Sequence, residues 1–108
     1  MDVFPRYLSK HPDDSRAHIF YATKLAESGN ATLAKKEGER ALELSPNDTL
    51  MLYNVACLHS RLGEKEKSIE YLTKAFENGY TNYDWLNRDP DLDSIRNEPA
   101  FIELMKGK

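Results

Sequence analysis

The sequence predicts an all-α chain: helix-turn-helix units stacked as a short solenoid, with two full repeats, an N-terminal half repeat and a C-terminal helical cap. Three observations predict it. The chain matches itself at a shift of 34 residues, its apolar residues recur at helical spacing, and glycines and prolines fall where helices would have to stop. At that shift Ala22 meets Ala56, Gly29 meets Gly63, Ala34 meets Ser68 and Ala41 meets Ala75. The register extends backwards, pairing Pro12 with Pro46, Asp14 with Asp48, and Leu8 with Leu42 and Phe76. The matches concentrate at positions where side-chain size or backbone geometry matters.

Each unit reads as two helices. The first covers about Ser15–Ser28, with an aspartate of Pro12-Asp13-Asp14 available to cap its exposed amides and Gly29 to end it in the left-handed conformation. The second runs from Ala31 to Leu44 and stops before Ser45-Pro46, because proline disfavours helical geometry in the residue before it. Asp48 caps the third, Thr49–Leu62, which Gly63 closes, and the fourth, Lys65–Asn78, ends at Gly79. Leu52, Val55, Ala56 and Leu62 share one face of the third helix, and Ile69, Leu72, Ala75 and Phe76 one face of the fourth. Ala22, Ala34, Ala41, Ala56, Ser68 and Ala75 are small enough to let neighbouring helix backbones come close.

The segments Tyr21-Ala22…Gly29…Ala34…Ala41…Pro46 and Val55-Ala56…Gly63…Ser68…Leu72…Ala75 resemble the tetratricopeptide repeat family. The resemblance divides the chain into a half-repeat helix at 1–14, repeats at 15–48 and 49–82, and a capping segment at 83–108. Some positions depart from the family pattern. His18 and Leu52 stand where an aromatic is expected, Leu25 and His59 where a tyrosine is expected, and Asn78-Gly79-Tyr80 where a proline is usual. The last departure predicts that the regular stack stops there.

The tail is too apolar to be free, carrying Trp85, Leu86, Leu92, Ile95, Phe101, Ile102, Leu104 and Met105. It predicts a turn or short helix near Tyr83–Asn87, another near Asp91–Arg96, and a last helix at about Glu98–Lys106 that starts at Pro99. Repeat stacks need atypical ends over their open apolar face, so these pieces read as a cap. The same stretch is similar to the end of tetratricopeptide regions in bacterial multidomain proteins, including some nucleotide cyclases and serine/threonine kinases. That implies an effector domain upstream.

Composition narrows the function. The 108 residues carry a net charge of −3 with acids and bases interspersed, and no basic patch suited to phosphates, so no nucleic-acid partner is expected. No apolar run approaches the roughly 20 residues of a membrane helix. The start, Met1-Asp-Val-Phe-Pro-Arg, lacks the layout of a secretory signal. The single cysteine, Cys57, can form no internal disulfide. A cytoplasmic setting without membrane contact is the expectation.

Chemistry finds little purchase. His11, His18 and His59 form no short ligand pair, and Cys57 and His59, two apart on a helix, point in different directions. No metal site is expected, and His18 and His59 read as packing residues at positions where the resembled family has aromatics. Cys57 sits between Ala56 and Leu58 with no glycine-rich elbow, which favours a structural thiol over a nucleophile. Asp84, Asp89, Asp91 and Asp93 lack the glycine and closing glutamate of a calcium loop and read as caps and turn residues. No phosphate-cradling glycine loop occurs, so neither cofactor nor catalysis is expected.

The family resemblance implies instead a concave groove that binds a peptide or protein. Its expected lining is Arg16, Ile19, Phe20, Thr23 and Glu27 from the first repeat, and Leu50, Tyr53, Asn54, Cys57 and Arg61 from the second. Ile19, Phe20 and Tyr53 would form an apolar floor, with Asn54 and Arg61 as polar anchors. The lysine-and-asparagine clamp by which some members hold chaperone tails is incomplete, since Ile19 and Thr23 occupy clamp positions. The competing expectation is a homodimerisation or regulatory module at the C-terminal end of a larger bacterial signalling enzyme.

Overall fold

The computed structural model describes the backbone of residues 3–108 and the side chains from residue 6 onward; residues 1 and 2 of the expected half repeat lie outside the described residues. Among the described residues seven α-helices follow in order: α1 Val3–Lys10, α2 Ser15–Glu27, α3 Ala31–Leu44, α4 Thr49–Arg61, α5 Lys65–Glu77, α6 Tyr83–Arg88 and α7 Pro99–Met105. A 3-10 helix, Pro90–Ile95, lies between α6 and α7 and is called the strap below. None of the described helices is long and apolar enough to cross a membrane.

The caps act as their residue types dictate. Asp14 accepts a hydrogen bond from the amide of Ala17 at 3.0 Å, and Asp48 one from Met51 at 3.1 Å. α2, α4 and α5 all end in the same way. Gly29, Gly63 and Gly79 take φ values of +87°, +79° and +102°. The amide that follows each glycine returns to the carbonyl five residues earlier, Asn30 to Leu25, Glu64 to His59 and Tyr80 to Ala75. Gly29 and Gly63, 34 residues apart, close the first helix of each repeat and make the period visible in space, whereas Gly79 closes the second helix of its repeat.

α2 pairs with α3 and α4 with α5, while α4 also touches α2 and α3 and so joins the two pairs. The six small residues expected at close approaches are all fully buried. Ser68 adds a tie, its hydroxyl donating to the Ala56 carbonyl at 2.7 Å and so binding α5 to α4. Gly38 extends the rule where the repeat comparison gave no hint. A Cβ there would sit 2.6 Å from Leu58 Cδ2, so any side chain on α3 at this point would force the Leu58 side chain of α4 to shift.

The structure differs from the sequence reading at α4. A single apolar face was expected, yet every residue from Met51 to Ser60 except Asn54 is buried. The reason is that two cores meet on this helix. Met51, Val55 and Leu58 join Ile19, Ala22, Leu25, Ala34 and Ala41 in one. Leu52, Tyr53, Ala56 and Cys57 join Leu72, Ala75, Tyr80, Leu86, Leu92, Ile95 and Phe101 in the other. A helix covered on both sides loses its polar face.

Candidate partner-binding groove

α2 and α4 lie side by side and supply the expected groove residues, but the tail divides them into two groups. The strap is seated on α4, with bonds to it and its cap running from Tyr53 to Arg61. Leu92 and Ile95 of the strap and Leu86 of α6 are fully buried. Asp89, which caps the strap by accepting from the Asp91 amide at 2.9 Å, is itself only 4% exposed. Its carboxylate accepts a hydrogen bond from the Tyr53 hydroxyl and a longer contact of 3.7 Å from the Cys57 thiol.

Other bonds fix the strap along its length. Arg61 Nε donates to Asp91 at 2.6 Å, the Ser94 hydroxyl donates to the Ser60 carbonyl at 2.9 Å, and Arg96 Nη2 donates to the Asp89 carbonyl at 2.5 Å. The Tyr53 ring stacks on Tyr80, centroids 4.8 Å apart and nearly parallel. Among the described residues no buried side-chain nitrogen or oxygen lacks a partner.

The electrostatics follow from this enclosure. Burial, with the Asp89 carboxylate beside it, pushes the Tyr53 phenol far above its ordinary range. Burial first, and then Asp89 and Asp91, push the Cys57 thiol up as well. A thiol held protonated beside a carboxylate is a poor nucleophile. The sulfur and the nearest carboxylate oxygens of Cys57, Asp89 and Asp91 lie within 4.8 Å of one another, but the oxygens already accept from Tyr53, Arg61 and a backbone amide. Tyr53, Cys57 and Arg61 therefore face the chain's own tail.

The N-terminal halves of α2 and α4 are different. They border an open pocket of about 260 Å³ lined by Ser15, Arg16, Ile19, Phe20, Asp48, Leu50, Met51 and Asn54. Ile19 and Met51 form its buried base. Phe20 and Leu50 stand at its edges, 55% and 57% exposed, and are the two most exposed of the large apolar side chains described. Arg16 and Asn54 are exposed at the rim. Thr23 and Glu27 lie further along α2. The Thr23 hydroxyl donates to the Ile19 carbonyl at 3.0 Å, and Glu27 accepts from Arg61 at 3.4 Å.

Both histidines of α2 and α4 are buried and bonded. His18 Nδ1 sits 2.6 Å from Glu37 and its Nε2 donates to the Pro12 carbonyl at 2.8 Å. His59 Nδ1 sits 2.8 Å from Glu64, with the ring stacked on Tyr71. These are packing roles, and neither carboxylate partner, Glu37 or Glu64, follows from the sequence.

Residues 50–78, which span α4, its turn and α5, match a family model described as Tetratricopeptide repeat. This segment is a tetratricopeptide repeat. A relative, a chloroplastic protein of Arabidopsis thaliana, is 35% identical over 54 residues, half of this chain and 16% of the relative. The match thus spans about a sixth of the length of this curated relative. No solved structure gives a significant match. Tetratricopeptide repeats are generally non-catalytic interaction modules, and the repeat at residues 50–78 suggests a protein–protein interaction module.

Proposed function

We propose that the chain binds a peptide or protein segment in the open half of its groove, through Arg16, Ile19, Phe20, Leu50 and Asn54, with Thr23 and Glu27 bordering the path. The observation that carries this reading is the pair Phe20 and Leu50, large apolar side chains left exposed on either side of a pocket that the tail does not reach. Exposed apolar surface next to a concave site marks contact surfaces. The exposed Arg16 and Asn54 supply hydrogen-bond donors at the rim, which would orient a bound backbone. Tyr53, Cys57 and Arg61 support the site indirectly by holding the tail in place. The reading involves no catalytic step and no cofactor.

The test is a displayed peptide library selected on the full chain, with each hit measured again by calorimetry on Phe20→Glu and Leu50→Glu. Either substitution should weaken binding at least about tenfold, or ~1.4 kcal/mol, while leaving the thermal transition in place. Hits that bind both variants as well as the parent would refute the site. Light scattering over a hundredfold concentration range separates the rival occupant. A dimer that Phe20→Glu dissociates would make the groove a contact between two copies.

A further inference from the structure

No further inference is drawn: the strongest candidate, the buried cluster of Cys57, Asp89 and Asp91 between α4 and the strap, has its carboxylates already engaged by Tyr53, Arg61 and a backbone amide, and no second feature of the structure points to a ligand there.

Discussion

The first helices of the two repeats present the same three positions to the concave side, one 34-residue period apart, with opposite outcomes. On α2 they are Ile19, Thr23 and Glu27; on α4 they are Tyr53, Cys57 and Arg61. The α4 set offers a phenol, a thiol and a guanidinium, and the strap meets them with two aspartates. The α2 set offers an aliphatic side chain, a hydroxyl spent on its own helix and a carboxylate, which cannot satisfy Asp89 or Asp91. The turn after α5 also delivers the tail beside α4, through Tyr80 stacked on Tyr53. One scaffold thus carries a groove that the tail fills at Tyr53, Cys57 and Arg61 of α4 and leaves open between the first turns of α2 and α4, and the side chains on a shared face decide where the tail sits.

The largest contrast should come from removing the tail. Leu86, Leu92 and Ile95 are fully buried, and burying such a side chain contributes about 1.5–3 kcal/mol. Their combined loss is of the order of a small domain's whole stability, about 5–15 kcal/mol. A chain ending at residue 82 should lose its cooperative melt by circular dichroism. A sharp melt near that of the parent would show that the strap is an accessory.

Single substitutions should divide along the same line. Ile95→Ala should cost about 2–5 kcal/mol in urea unfolding, because its surroundings are packed on all sides. Phe20→Ala, more than half exposed, should stay within about 0.5 kcal/mol. Equal costs at the two sites would erase the distinction between a filled and an open groove.

Tyr53→Phe keeps the ring stack but removes a donor from a buried carboxylate, at a cost of about 1–3 kcal/mol. Cys57 should react with a disulfide reagent at neutral pH far more slowly in the native protein than in denaturant, since burial holds the thiol protonated and out of reach. A native rate matching the unfolded one would mean that the strap opens readily.

The smallest effect is electrostatic. Lys35 and His59 hold the Glu64 carboxyl below its ordinary value of 4.5, Lys35 contributing most. A depressed carboxylate stabilises the fold above its unfolded pKa, and that contribution is lost as pH falls through the lower folded value. Glu64→Gln should therefore flatten the acid limb of the stability curve below about pH 4.5 and change little when the parent is already fully acidified.

Much of this fold was legible because its determinants are local. Asp14 and Asp48 as caps, Gly29, Gly63 and Gly79 as terminators, and the buried alanines each act within a turn or at one helix contact. The expected pieces of the tail also fall close to the observed ones, at Tyr83–Arg88, Pro90–Ile95 and Pro99–Met105. The division of the groove was not legible. It depends on Tyr53 meeting Asp89, a contact between residues 36 apart in the chain. Residue types at positions 89 and 91 suggest turns, and nothing local says that a turn aspartate will be buried. The one available signal was the aromatic Tyr80 where a proline is usual, directly before the tail. The burial of α4 on both sides escaped for the same reason, since its second covering comes from the strap.

The most direct test is amide chemical-shift mapping of the full chain with a selected peptide. The account predicts that shifts concentrate at Arg16, Ile19, Phe20, Leu50 and Asn54 and leave Asp89 to Ile95 unmoved. Shifts concentrated on the strap and on Tyr53, with the first repeat silent, would mean that the ligand displaces the tail, and would contradict the division of the groove.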